Sequence, residues 1–304
     1  MKEAECITVD CDGFVEWNPQ KEYYNSESII NEIKEYAMNH RLLCVNDTFL
    51  LWQVPPELFK AFKKVYVLTY MFEASILHYY FRMYGIDYEK KAVMYENGVY
   101  SLADYKEADT RKYQELIKIF DGPINYNFYQ KTNGLSKSWF NSPRSAGDIK
   151  QLKNNMNNFF RNINKAKKDE IMWTTFKDVA RKLQGRGYSY VDVEKYPDKK
   201  KDACFVPCNA RATNAYSQRH VLAYCVNRYM HPELSDLFAQ NGITVDEEKY
   251  ALSEMLQWIW RSSIRNGEPV KIYIPSKRMR VLLYEWLDLD CSEVKVMLKK
   301  EEDC

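Results

Sequence analysis

Glycine and proline are scarce in this chain, 10 of each in 304 residues, and histidine is scarcer still at 4. His40, His78, His220 and His231 have no nucleophile or carboxylate at a spacing that suggests a catalytic pairing, so core or surface roles are expected of them. Long hydrophobic runs are missing too. No stretch of about 18 apolar residues occurs, and no membrane-spanning helix is expected. A surplus of charge is also absent, with 44 Lys and Arg against 42 Asp and Glu. That balance excludes a factor that coats polyanions through its bulk field, and leaves any nucleic-acid partner to a local patch. The 8 cysteines include Cys204 and Cys208, which lack a second pair at zinc-ligand spacing; Cys225 and His220 are poor substitutes. No metal is expected. No secretory segment is read at the start, so reduced thiols and a cytoplasmic setting are expected.

What is present is apolar and aromatic residues, 46% and 15% of the chain, enough for one large domain or two modest ones. Residues 1–105 read as α/β. Strands are expected at Cys6–Val9, Leu42–Val45 and Phe49–Trp52, with a helix capped by Ser28 that carries Ile29, Ile30, Ile33 and Ala37 at helical spacing. Val65–Leu68 reads as a buried parallel strand leading into a helix over 74–84, so a parallel sheet with crossovers is expected here. Residues 106–170 turn Asn-rich and basic, and read as a linker plus a helical insertion with a helix near 147–165. From Trp173 the α/β pattern resumes. A helix ending at Gln184 before Gly185, strands at 204–206 and 221–225, a helix at 248–265, a strand at 270–274 and a helix at 276–287 are expected.

The 248–265 segment separates two faces. Leu252, Met255, Leu256, Ile259 and Ser263 gather on one side, while Gln257, Arg261 and Arg265 follow i, i+4, i+8 and stack on the other. After the strand at 270–274, Ser276 is a sound N-cap, yet Lys277, Arg278 and Arg280 crowd a first turn where the helix dipole disfavours cations. A broken local rule of this kind points to an anion such as phosphate.

The run Cys204–Tyr216, with its Asn/Thr-rich exit, a second strand, the Gln-x3-Arg-x3-Arg helix and a closing strand and helix, resembles motifs V and VI of superfamily-two (DEAD/DEAH-type) helicases. More narrowly it is similar to the helicase-like proteins of bacteriophages and prophages. Val65–Ser75 likewise resembles the motif III region. The likeness is dense over 204–287, thin over 50–85, and absent between. It implies an α/β fold: a RecA-like (P-loop NTPase-type) lobe over 171–304, its parallel sheet flanked by helices on both faces, preceded by a partial first lobe (1–105) and the insertion (106–170). It also implies roles. Arg261 and Arg265 would reach the terminal phosphates of a nucleotide as arginine fingers, and Gln257 would open that motif. Asn209, Arg211, Thr213 and Asn214 would line a loop touching nucleotide and nucleic acid, and Thr69 would couple the lobes. The common pattern has Gly before its first Arg and a second Arg three residues on; here Trp260 precedes Arg261 and Arg265 comes four later, which leaves the finger's identity open.

The phosphate loop of that family is missing. In Lys131–Ser138 the Lys-Ser pair is right, but Lys131 and Ser136 stand where Gly is needed for close backbone approach. The resemblance therefore implies a chain that begins inside a first lobe, with ATP and Mg²⁺ belonging to the complete motor and neither held by this chain alone. Its partners would be nucleic acid, foremost single-stranded or duplex DNA, and an N-terminal ATPase lobe supplied in trans, in a bacterial or phage-infected host cell.

Two other readings stand beside it. Ile7–Phe14 resembles the first motif of haloacid-dehalogenase-type phosphatases, with Asp10 as nucleophile and Asp12 as acid/base, or else is a strand turning at Asp-Gly. A non-enzymatic nucleic-acid-binding module would use Arg144, Lys150, Lys153, Arg161, Lys165, Lys167 and Lys168, interleaved with Phe159 and Phe160 for base stacking.

Overall fold

The apolar runs at 7–9, 42–45 and 49–52 do form strands, but the links 10–14 and 46–48 that join each to its partner are too short for parallel crossovers, which need a dozen or more residues. In the computed structural model, which describes residues 5–20, 28–125, 133–193, 195–210, 213–292 and 294, β1 (Ile7–Val9) pairs antiparallel with β2 (Val15–Trp17), and β3 (Leu42–Val45) with β4 (Phe49–Trp52). Asn46 and Asp47, at φ 51° and 58°, supply the left-handed backbone that turns β3 straight back into β4. Helix α1 (Ser28–Met38) lays Ile33, Tyr36 and Ala37 over Val15 and Leu42. Beyond α2 (Glu57–Lys60), α3 (Ile76–Met83) is capped by the Ser75 hydroxyl, which accepts the His78 N–H, and its Tyr79 packs 5.4 Å from Phe238 of α7 (Pro232–Gln240). These elements make one compact unit, 1–89 with 230–245.

The parallel sheet expected over 1–105 is thus corrected: every strand pair described there is antiparallel. Val65–Leu68 is corrected as well. It forms no strand and is exposed, Leu68 at 86%, because hairpins offer no parallel neighbours to bury it.

The second unit, 90–229 with 246–304, opens with the hairpin β5 (Lys91–Glu96) and β6 (Val99–Asp104). Its centre is a four-stranded, wholly parallel sheet in the order β7 (Ile117–Ile119), β10 (Val270–Tyr273), β9 (Val221–Tyr224), β8 (Ile171–Thr174). Phe205 extends it by bridging to Trp173. Strands buried on both faces need no alternation, and β8 and β9 are apolar or buried throughout. Ile171, Trp173, Val221, Ala223 and Tyr273 face a core built with α5 (Ala146–Asn157), the π-helical turn 158–163 and α6 (Ala180–Leu183). Opposite, Tyr224 meets Trp258 of α8 (Glu247–Ile259) at 5.4 Å. The short α4 (Lys137–Asn141) follows β7, and α9 (Lys277–Trp286) follows β10.

Three expectations change. Residues 106–170 are not a linker with an insertion, because they supply the edge strand β7 and the helix that covers one face of the sheet. The helix expected to end at Gln184 is only the short α6, and the pattern that resumes at Trp173 begins with the strand β8. The helix expected over 248–265 stops at Ile259, where Trp260 packs edge-on against Tyr113 and Trp286 and the Ser262 hydroxyl donates to the Ile259 carbonyl.

Candidate nucleic-acid interface

Helix α5 is amphipathic with an unusual polar face. Ile149, Leu152, Met156, Phe159 and Phe160 are buried, while Lys150, Asn154, Asn157 and Arg161 run at i, i+4, i+7, i+11 along the exposed side. α6 packs beside it and exposes Arg181 and Lys182. Arg144, Lys165, Lys167, Lys168, Lys177 and Arg186 are exposed on the flanking loops, and Lys153 is half-buried. Between 144 and 186 only Asp148, Asp169, Glu170 and Asp178 oppose these eleven cations. Three of the four are already engaged: Asp148 sits in the favourable first turn of α5, Glu170 accepts the Lys167 N–H at 2.8 Å, and Asp178 pairs with Lys137. In a chain of net charge +2 this segment alone therefore carries a net charge of +7.

Phe159 and Phe160 are 1% and 0% exposed, so the base-stacking role expected of them is corrected; they belong to the core. The Asn-rich composition divides likewise. Asn125 and Asn155 are buried and hold the carbonyls of Phe120 and Ile124, whereas Asn154 and Asn157 face outward. Sequence reasoning missed Lys177, Arg181, Lys182 and Arg186, which enter the same surface only because α6 packs on α5.

The residues expected to serve a nucleotide separate into two groups. Arg265 lies in the helical turn Ser263–Asn266 and donates to the Thr213 carbonyl at 3.3 Å and to the Asn214 side-chain oxygen, joining two segments far apart in the chain. Gln257 donates to Ser253 on its own helix at 3.1 Å, and Arg261 is half-buried beyond the helix end, so the expected three-residue stack is not formed. Asn209 is exposed, Thr69 is exposed in the first unit, and Arg211 lies outside the described residues.

Residues 111–287 match the family model of the YonV C-terminal Rossmann-like domain, and residues 1–52 match that of the YonV middle domain. The chain belongs to the YonV family. A Bacillus subtilis (strain 168) relative, described as SPbeta prophage-derived uncharacterized protein YonV, is 40% identical over 286 residues, which is 91% of this chain and 65% of the relative. The chain thus spans about two-thirds of that relative's length. No solved structure matches it.

In YonV-family terms, residues 111–287 form the Rossmann-like domain, and such sheets take ligands beyond the carboxyl ends of their strands, where adjacent connections diverge. Here that point lies between β8 and β9: the chain leaves β8 toward Phe205 and leaves β9 toward β10. Beyond the neighbouring exits of β9 and β10 the protein's own polar side chains pair with one another and with backbone carbonyls. Arg228 donates to the Tyr250 hydroxyl at 3.1 Å and lies 3.5 Å from Glu254. Burial opposes the charge on Arg228, yet the Cys208, Tyr250, Glu254 and Tyr224 groups around it hold its pKa above the ordinary value. Arg278 donates to Asn227 at 3.0 Å and to the Arg228 and Glu247 carbonyls, and stacks over Tyr229. Arg280 donates to the Ile274 and Pro275 carbonyls at 2.7 and 3.2 Å, and Lys277 is buried. Of the first-turn cations of α9, Arg278 and Arg280 are therefore compensated by strand-exit carbonyls rather than by an anion. Lys137 and Ser136 do stand between a strand and a helix, but Lys137 pairs with Asp178 and the Ser136 hydroxyl caps Trp139.

Asp10 likewise serves its own turn, accepting N–H groups from Asp12 and Phe14 at 3.0 and 2.8 Å within the β1–β2 hairpin. That geometry is the strand turning at Asp-Gly. Among the described residues no group of three or more His, Cys, Asp or Glu is arranged to hold a metal, and no helix is long and apolar enough to cross a membrane.

Proposed function

We propose that this chain is the nucleic-acid-binding C-terminal part of a prophage protein, gripping the phosphate backbone of DNA with the basic outer surface of the α5–α6 layer. The observation that carries the reading is eleven cations against four carboxylates over 144–186, with the Lys150–Asn154–Asn157–Arg161 stripe aligned along one helix face. Cations supply the electrostatic part of such binding, and Asn amides can bond to phosphate or base edges. That Arg278 and Arg280 spend their donors on the protein's own carbonyls supports a binding role without nucleotide turnover.

The test is fluorescence anisotropy with single-stranded and duplex oligonucleotides across a salt series, with and without Mg-ATP. Affinity should fall steeply with salt and ignore nucleotide. Lys150→Glu with Arg161→Glu should weaken binding at least about tenfold and lower the salt slope by about one to two units. Absence of binding at low salt, or binding indifferent to these substitutions, would sink the proposal.

A second reading keeps the RecA-like motor of a helicase or translocase, favoured by the bond between Arg265 and the Thr213–Asn214 segment, which joins the two motif-like stretches. On that reading ATP, Mg²⁺ and a phosphate loop come from an N-terminal ATPase lobe. A nucleotide-dependent change in DNA affinity, seen when the longer family protein is assayed beside this chain, would favour it.

A further inference from the structure

The hairpin β5–β6 is built to fold on its own terms but not to stand alone. Asn97 and Gly98, at φ 51° and 83°, form the two-residue turn whose twist matches right-handed strands. The register sets Lys91 opposite Asp104, Val93 opposite Leu102 and Tyr95 opposite Tyr100, and period-two alternation puts these six side chains on one face. The other face carries Ala92, Met94, Glu96, Val99, Ser101 and Ala103. The first face is apolar and open to solvent: Val93 is 57% exposed, Leu102 58%, Tyr95 61% and Tyr100 73%. The two tyrosine rings lie 4.5 Å apart, so the patch is contiguous. A two-stranded hairpin is marginal in water without something packed on its apolar side.

Charge decides what kind of partner fits. Around the hairpin Glu89, Glu96, Asp104 and Glu107 outnumber Lys90, Lys91 and Lys106, which disfavours nucleic acid and distinguishes this patch from the α5–α6 layer. The face is also self-complementary. A two-fold axis parallel to the strands, midway between two stacked hairpins, lays β5 of one copy over β6 of the other. Each Lys91, which already donates to its own Asp104 at 3.0 Å, then also meets the Asp104 of the other copy, each Val93 a Leu102 and each Tyr95 a Tyr100. No like charges oppose one another, and the aligned stacking is that of ordinary sheet-on-sheet packing.

We propose that a second copy of this chain occupies the apolar face of the β5–β6 hairpin in this arrangement, forming a symmetric dimer. Two strands offer less than the roughly 800 Å² per partner of a standard interface, so the dimer is in rapid, concentration-dependent exchange.

Sedimentation velocity of the full chain over two decades of concentration tests it. The sedimentation coefficient should rise with concentration toward the dimer value, and Tyr95→Ser should weaken the dimer at least about tenfold. Lys91→Asp and Asp104→Lys, each setting like charges face to face, should each weaken self-association, and an equimolar mixture of the two should restore it. Far-UV circular dichroism and melting temperature report whether the variants fold; should Tyr95→Ser fail, the exposed charge variants still decide. A chain monomeric at every concentration overturns the proposal. So does a dimer untouched by Tyr95→Ser, or one that the mixed charge variants do not rescue.

Discussion

A buried hydroxyl that no neighbour engages is a cost that folding must offset elsewhere. Tyr224 is such a group. It is fully buried, its ring rests on Trp258, and its hydroxyl has no hydrogen-bond partner among the described residues although Arg228, Tyr250 and Cys208 lie around it. Removing only the oxygen keeps the ring contact and discards the desolvated dipole. Tyr224→Phe should therefore leave stability unchanged or raise it by up to about 1 kcal/mol in urea unfolding. A loss above about 2 kcal/mol would mean that the hydroxyl is satisfied in solution. The arginines nearby illustrate what single residues disclose beforehand. The sequence marks Lys277, Arg278 and Arg280 as anomalous in a helix first turn. It cannot reveal that the compensating acceptors are the Ile274, Pro275 and Arg228 carbonyls, because every residue has a carbonyl and only the packed strand exits single these out.

At the scale of elements, strands and helices of the sheet were largely legible, since buried β runs at 221–224 and 270–273 and the stripe of α9 declare themselves by periodicity. Pairing was not. Val65–Leu68 has the composition of a buried strand but no neighbour to receive it, and β7, three residues long, carries too little pattern to be told from a linker. The end of α8 at Ile259 was equally hidden, because it depends on Trp260 finding Tyr113 and Trp286. That early end decides what Arg265 does. Instead of extending a helical stripe, it ties the Ser263–Asn266 turn to Thr213 and Asn214, and both Arg265 and Asn214 are exposed. If this tie is structural, Arg265→Ala should cost no more than about 1 kcal/mol and leave DNA affinity within about twofold. A large loss of DNA affinity with stability preserved would assign Arg265 to ligand contact instead.

For the domain as a whole, the density of buried ionisable groups around the parallel sheet ties its stability to alkaline pH. Burial raises the pKa of Tyr188 and Tyr224 above the ordinary 10.0 and that of the Cys225 thiol above the ordinary 9.0. Each stays protonated in the folded state at a pH where the unfolded chain has already released its proton. The unfolded state then binds fewer protons, so stability falls as pH rises. The contribution of these groups is complete below about pH 9 and is lost progressively above it, Cys225 first and the tyrosines from about pH 10. Each fully shifted group adds at most about 1.4 kcal/mol per pH unit to the slope. Buried Trp173 and Trp258 give the readout, since fluorescence-monitored urea midpoints should hold steady from neutrality to about pH 9 and then drop. Cys225→Ala separates the thiol from the phenols: it lowers stability at neutral pH through the cavity it leaves, yet it should delay the onset of the decline toward pH 10. An onset unmoved by that substitution would show that the thiol does not titrate with unfolding, and would assign the alkaline loss to the tyrosines.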